Sequence, residues 1–335
     1  MVSAVISGLG SYLPPVVVDN DEVCRQIESS DEWIVKRTGI STRRRVPLGT
    51  STSDIAVQAA ERALTSAGTR SIDMVVLATA TPDFISPPTA PIVADRLGLT
   101  GTPAFDVSAA CSGFVYGLSV ASAMVQSGAA CRVLFICAET ASYFTDPRDR
   151  DTAAIFGDGA AALVISVGDG DESDSGAIGS VVMGADGSAC GLVQMPGYAA
   201  ADRAAGTFGS VTPHITMDGK PLFVQAVTRM TEAVEDLLER ENLTTDDVAM
   251  IVPHQANARI IEAVAEELEV DSDRVMVNID QTGNTISASI PLALAQAADA
   301  GRMTAGDRIL VVAFGAGASW GATTFTWPDI KAVVA

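Results

Sequence analysis

The sequence predicts an α/β protein built as two equivalent halves, each a mostly parallel sheet covered by helices. Three observations carry that prediction. Apolar strand-like runs alternate with helix-like segments over short connections along the whole chain, the pattern of parallel-sheet units. The order of elements in the first half recurs in the second, and self-similarity of this kind sets architecture more firmly than any single motif. The length, 335 residues, suits about two domains or one doubled domain.

The start, Met1-Val-Ser-Ala-Val-Ile-Ser-Gly-Leu-Gly, lacks the basic region and cleavage site of a signal peptide and reads as a first strand. Ser53 can cap a helix through residue 67 that Gly68 stops, and residues 73–79 follow as a buried strand ending in a Thr81-Pro82 loop. A helix near residues 90–97 leads to a strand at 104–107. The organising stretch is Asp106-Val107-Ser108-Ala109-Ala110-Cys111-Ser112-Gly113, which runs through small residues into 114–125. That last segment is apolar nearly all round, as in a helix sealed inside a large domain. A strand at 132–138, a polar loop at 143–152 and the run 154–166 complete the first half. Residues 168–176, with acidic residues between glycines, are the linker candidate. They divide the chain into an N-terminal half, 1–170, and a C-terminal half, 177–335.

The second half repeats the order. A helix from 221 to about 240 leads to a strand at 248–252 ending at Pro253-His254, matching the strand that ends at Thr81-Pro82. The helix 258–268 matches 90–97, and Val275-Met-Val-Asn matches 104–107. Gly283-Asn284 opens an apolar helix, 286–298, where the first half has Ala110-Cys111. The final run from Arg308 echoes both 132–138 and Phe156-Gly-Asp-Gly-Ala. In this register Cys111, His254 and Asn284 lie at or beyond strand C-termini, the side on which α/β sheets bind ligands.

Composition removes several function classes. Acidic residues outnumber basic ones 41 to 21, a formal charge of −20 whose field repels nucleic acid and anionic membranes. No apolar run reaches the ~18 residues of a membrane span, so a soluble, cytoplasmic protein is expected. Five cysteines without close paired spacing argue against a disulfide framework, and two histidines without a Cys-x-x-Cys pair give a metal site little support. Cys111, in the first turn of its helix, would meet unpaired N–H groups and the positive end of the helix dipole, which favour thiolate over thiol. A cysteine can equally be a small buried hydrophobe. His214 reads as a loop or structural histidine.

Along almost the whole chain the residues resemble the β-ketoacyl-acyl-carrier-protein synthase III branch of the thiolase-like condensing enzymes. The resemblance rests on Asp31-Glu-Trp-Ile-Val-Lys-Arg-Thr-Gly-Ile, Ser108-Ala-Ala-Cys-Ser-Gly-Phe, Phe156-Gly-Asp-Gly-Ala, Pro253-His-Gln-Ala-Asn-Ala-Arg-Ile, Gly283-Asn-Thr-Ile-Ser-Ala-Ser-Ile-Pro and Phe314-Gly-Ala-Gly-Ala-Ser-Trp-Gly, in that order. It implies a thiolase-like duplicated α/β fold, two pseudo-symmetric halves in a layered α-β-α-β-α arrangement, acting as a homodimer. It makes Cys111 the nucleophile that takes an acyl group from acyl-CoA, with His254 and Asn284 as partners in decarboxylating a malonyl thioester. The backbone N–H groups of Cys111 and Ala316 would form the oxyanion hole. Trp33 and Arg150 would stack on the two faces of the CoA adenine, with Arg37 near the phosphates and Asn257 and Gly219 along the pantetheine tunnel. Read without the resemblance, Trp33 is a core aromatic and the two arginines are solvated charges.

The implied reaction is a decarboxylative Claisen condensation to a 3-ketoacyl thioester, needing no metal or redox cofactor. The trio of side chains does not separate it from acyl transfer to a hydroxyl or amine acceptor, with His254 as general base. The resemblance places Arg259 at an acyl-carrier-protein docking surface, but Glu266, Glu267 and Val224 stand where basic residues are common in the family. Lys220 replaces an asparagine that contacts pantetheine in some members. The acidic mouth leans toward a specialised pathway. Residues 84–88 and 195–213 are expected to shape the acyl pocket, the first reaching toward a partner subunit near Ser86.

Overall fold

The computed structural model describes residues 2–169, 175–197 and 199–334. Two sheets face one another. The first has the order Ala4–Tyr12, Asp158–Val167, Arg132–Thr140, Met74–Ala78, Ala104–Val107, and the second Met250–Pro253, Arg308–Gly315, Ser319–Thr326, Ile178–Ala185. In each, a crossover strand pairs in parallel (Met74–Ala78 with Arg132–Thr140, Met250–Pro253 with Arg308–Gly315), and the next two strands return antiparallel. The fifth strand of the second sheet is reduced to one bridge, Ile251 to Val275, where Val275-Met-Val-Asn was expected to match Ala104–Val107.

The chain sorts its helices into layers by the width of their apolar faces. Helices Gly113–Gln126 and Ser289–Asp299 are buried nearly all round and lie between the sheets. Phe114, Val115 and Leu118 there share one core with Ile290, Leu292, Val311 and Phe325 from the other half. Thr52–Ala67 and Thr89–Arg96 bury a single face against the outer side of the first sheet, and Gly219–Glu241 and Ala258–Glu267 do the same on the second. The result is α-β-α-β-α, the layering the resemblance implies. Strand Arg132–Thr140, with helices on both faces, is buried from Val133 onward, which explains its unbroken apolar run.

Local chemistry fixes the boundaries. Helix Thr52–Ala67 is capped by Ser51 rather than Ser53: Ser51 accepts the Asp54 N–H while Asp54 accepts the Ser51 N–H, a reciprocal box worth about 1 kcal/mol. Ser53 instead accepts a bond from Arg96. The linker candidate falls largely on 170–174, outside the described residues. The two halves are not separate along the chain: residues near the C-terminus return to the first sheet, where Val333 bonds to Leu9 and Ser11 and Lys331 accepts from Ser66. No helix among the described residues is long and apolar enough to cross a membrane.

Candidate active site

Cys111 sits in a tight turn, Ala110–Ser112, that feeds helix Gly113–Gln126. Ala110 takes φ +44°, a left-handed conformation that costs a non-glycine residue of order 1–3 kcal/mol. The same strained turn recurs at Ile286, φ +50°, in Ile286–Ala288 ahead of Ser289–Asp299. Aligning the two turns makes Ser287 the structural counterpart of Cys111. Asn284 is therefore not its equivalent, as the sequence register suggested, but lies two residues upstream of the second turn.

Gly315 closes the opposite wall. A Cβ built on it would fall 2.8 Å from the Cys111 nitrogen and 2.9 Å from that of Ser112, so only glycine lets the strand end approach the nucleophile. Ala316 follows in the turn between Arg308–Gly315 and Ser319–Thr326. Among the described residues neither the Cys111 nor the Ala316 N–H donates to a backbone carbonyl in a turn or loop. Cys111 also packs with Phe156, Ile215 and Ile286.

His254 begins where Met250–Pro253 ends, its N–H bonded to the Val312 carbonyl at 2.8 Å. The ring is buried, and Nδ1 lies 2.6 Å from Ser289 Oγ. Ser289 Oγ also accepts the Gln255 N–H at 3.4 Å; with the Ser289 hydroxyl donating to Nδ1, the ring proton stands on Nε2. Nε2 has no partner although it is buried. Burial holds the imidazole neutral, its pKa pulled down to about 3. Asn284 is fixed the same way: Oδ1 accepts the Ile286 N–H at 2.8 Å, leaving Nδ2 as the donor. Its backbone joins Phe156 through a bridge that brings the two halves together. A neutral Nε2–H and an amide N–H are thus held by protein atoms, with nothing further to donate to.

The structure corrects the expectation for the thiol. Burial, followed by the nearby Glu139 carboxyl, pushes the Cys111 pKa up to about 12; its own N–H pulls the other way and does not compensate. A three-residue turn supplies little dipole, and the desolvated surroundings dominate. The resting residue is a thiol.

Of the expected CoA residues, Trp33, Arg37, Arg150 and Asn257 come together. Trp33, on Asp31–Thr38, has the Arg150 guanidinium 4.2 Å and that of Arg37 5.4 Å from its ring centroid. A base between Trp33 and Arg150 needs two contacts of about 3.5–4.0 Å, so Arg150 must swing outward to admit one. Asn257 is spent structurally: Nδ2 donates to the Arg37 carbonyl at 3.1 Å and Oδ1 caps Ala258–Glu267 through the Arg259 N–H. It couples the arginine's backbone to helix Ala258–Glu267. Gly219 opens helix Gly219–Glu241 in an exposed position, and exposed Arg259 lies over Phe223, 5.8 Å from its centroid. His214 is half-buried in a loop beside Asp146, at 3.6 Å. If Trp33 carries the adenine, Trp33→Ala should raise the KM for acyl-CoA about two- to tenfold, a lost stack of about 0.5–1.5 kcal/mol, and leave that for an acyl-pantetheine thioester unchanged. Steady-state kinetics with both donors checks it; equal effects on both would remove the stacking role.

Sequence reasoning passed over Ser289, Gln255, Ser287 and Glu139. The last was legible as an acid closing an apolar strand. The serines carry no such signal, because their importance lies in what folding brings beside them.

A doubled sheet with a cysteine elbow and two neutral donors defines a thiolase-fold enzyme that works through an acyl-cysteine. The comparisons narrow the class. The family model described as 3-oxoacyl-[acyl-carrier-protein (ACP)] synthase III matches residues 105–187, and that of its C-terminal part matches 238–327. A β-ketoacyl-[acyl-carrier-protein] synthase III of Streptomyces coelicolor is 48% identical over 332 residues, covering 99% of each chain. The Pseudomonas aeruginosa synthase III crystal structure superposes with a TM-score of 0.91 at 43% identity, covering 98% of this chain and 99% of its own. The priming β-ketosynthase of the R1128 polyketide pathway gives 0.89 at 37% identity, with coverage of 98% and 97%. The chain belongs to the β-ketoacyl-acyl-carrier-protein synthase III family.

Proposed function

We propose that the protein condenses an acyl-CoA starter with a malonyl thioester, on carrier protein or CoA, to give a 3-ketoacyl thioester at the start of fatty-acid or polyketide chains. The observation that carries this is the orphaned, buried Nε2 of neutral His254, which is bonded to the strand whose end, Gly315, closes on the Cys111 turn, with Asn284 Nδ2 as second donor.

In the first half-reaction Cys111 Sγ attacks the acyl-CoA carbonyl, and the Cys111 and Ala316 N–H groups receive the oxyanion. The C–S bond to CoA breaks, and the thiol proton leaves with CoA as its free thiol. In the second, malonyl thioester binds with its carbonyl oxygen on His254 Nε2–H and Asn284 Nδ2–H. Loss of carbon dioxide places an enolate charge there. The enolate carbon attacks the acyl-cysteine, the new C–C bond forms, and the Cys111 sulfur departs and regains a proton. Two fixed neutral donors stabilise the enolate without the reorganisation water would need, an effect of several kcal/mol. The chemistry asks only for thioesters, with no metal or redox cofactor.

The surface supports a soluble, cytoplasmic homodimer. Phe84 and Ile85, at 57% and 79% exposure, present an apolar tip suited to a partner subunit, while the −20 charge opposes nucleic acid and anionic membrane. Around Arg259 the exposed Val224, Glu266 and Glu267 leave few basic contacts for an acidic carrier.

Intact-protein mass spectrometry with a panel of acyl-CoAs, followed by a malonyl-CoA or malonyl-carrier chase, tests the reading. The expected result is a mass gain on the Cys111 peptide that malonyl thioester discharges with carbon dioxide release. Acylation that malonyl cannot discharge would move the assignment to transfer onto a hydroxyl or amine.

A further inference from the structure

Arg43 is fully buried, and among the described residues it forms no ion pair. It lies on strand Thr42–Arg45, which pairs antiparallel with Val16–Asp19. Burial first, then the neighbouring Arg45, pulls its pKa down to about 10, so the side chain keeps its charge at neutral pH. Three acceptors from separate parts of the chain hold that charge. Nη1 donates to the Val18 carbonyl at 3.2 Å, while Nη2 donates to Asn20 Oδ1 at 2.6 Å and to the Ala154 carbonyl at 2.8 Å. A lysine there would offer one ammonium in place of a rigid fork. Two of the acceptors lead to Trp33 and Arg150. Asn20 relays the charge: Oδ1 accepts from Arg43, and Nδ2 donates to Asp31 at 2.7 Å and to the Ile40 carbonyl at 2.8 Å. Asp31 opens the helix Asp31–Thr38 that carries Trp33. Ala154 follows the turn that carries Arg150, in which the Ala153 N–H donates to the Asp149 carbonyl at 2.9 Å. The stem of Arg43 reaches a third place. A Cβ built on Gly283 would lie 3.0 Å from the Arg43 Cβ and 2.8 Å from the Ile155 carbonyl oxygen, which accepts the Asn284 N–H at 2.9 Å.

We propose that Arg43 is a positioning residue that sets the separation of Trp33 from Arg150, through Asn20 and Ala154, and seats the turn that presents Asn284. The proposal rests on the proposed function, with acyl-CoA as donor and Asn284 at the enolate. Arg43 touches neither substrate. Its hold is on backbone and on Asn20, so the Arg150 guanidinium can still swing aside for a base. Removing the fork leaves Asn20 Oδ1 and the Ala154 carbonyl buried without that donor, and an unmade bond of this kind forces the chain around it to shift. A shift at Ala154 passes to the next residue, Ile155, and so to Asn284. A shift at Asn20 passes to Asp31 and so to Trp33, which packs on the same cluster as Val18, Ile34, Ala153 and Ala154. The two arms can therefore be cut separately.

Steady-state kinetics with acyl-CoA and with an acyl-pantetheine thioester, together with carbon dioxide release from malonyl-pantetheine, read the arms. Arg43→Met keeps much of the stem and removes the fork. It should raise the KM for acyl-CoA about two- to tenfold, leave that for acyl-pantetheine unchanged and lower decarboxylation about tenfold or more. Asn20→Ala cuts only the arm to Asp31, so it should give the same rise in KM for acyl-CoA with decarboxylation within about twofold of wild type. In a Trp33→Ala background Asn20→Ala should raise that KM no further, a coupling that a general loss of stability would not produce. A folded Arg43→Met or Asn20→Ala protein with the wild-type KM for acyl-CoA, equal rises for both donors, or additivity with Trp33→Ala overturns the proposal. Asn20→Ala decides the matter even if Arg43→Met fails to fold. Acylation of a residue other than Cys111 would instead remove the functional reading, and the comparison of the two donors would still decide the role of Arg43.

Discussion

Cys111→Ser should lower acyl-enzyme formation by at least about a thousandfold while leaving the fold and the release of carbon dioxide from malonyl thioester in place. The fold argument is steric. A hydroxyl is smaller than a thiol, and the turn that holds the residue is set by Ala110 and by Gly315 against the backbone, not by the sulfur. The chemical argument is that the neutral His254, with the Ser289 hydroxyl on Nδ1 and the ring proton on Nε2, offers no base for a serine hydroxyl. Sulfur needs less help because even a thiol of high pKa ionises far more readily than a serine. Intact mass after exposure to acyl-CoA measures the first effect, and radiolabelled malonyl thioester the second. Wild-type acylation in the serine variant would move the nucleophile to another cysteine. Cys137 is buried, and Cys131 and Cys190 are exposed on the surface.

The layered architecture was legible because duplication writes it twice. Helix and strand order in one half checks the other, and the apolar helices 114–125 and 286–298 could only belong between two sheets. The site was legible as residue types: Cys111, His254 and Asn284 stand in the stretches that carry the resemblance. What the sequence could not convey was the local electric environment. The helix-dipole argument put the Cys111 pKa low, but here desolvation and then a carboxylate prevail. Register failed for a related reason. Asn284 precedes an apolar helix as Cys111 does, and only the backbone conformations at Ala110 and Ile286 show that Ser287 occupies the equivalent place. Ser289 shows the same limit, since a serine opening a helix reads as surface chemistry until folding sets it against His254.

The second large effect separates the half-reactions. His254→Ala and Asn284→Asp should each leave acylation of Cys111 within about threefold of wild type and lower decarboxylation by about 10²–10³, the loss expected for one donor to a developing oxyanion. Aspartate is the sharper test at 284, because it keeps the shape and places a negative charge where the enolate must form. In the wild type the His254 ring has no proton to gain near neutrality, its pKa lying at about 3, so decarboxylation should show no inflection near the ordinary histidine value. Stability carries the complementary signal. An unfolded histidine binds a proton below about pH 6.5 and the buried one does not, so the unfolded state holds more protons in that range and stability falls as pH drops from there toward 3. His254→Ala should weaken that part of the acid dependence, measured as the difference in denaturation midpoints between variant and wild type. Ser289→Ala should act between the two: the imidazole stays buried and neutral, but nothing then selects the Nε2–H tautomer. Decarboxylation should fall by about tenfold, acylation should hold, and the acid dependence of stability should remain that of the wild type. Equal loss of both half-reactions in the His254 and Asn284 variants would mean that the two donors serve the acyl carbonyl as well as the enolate, and would return the oxyanion of the first step from the Cys111 and Ala316 amides to these side chains.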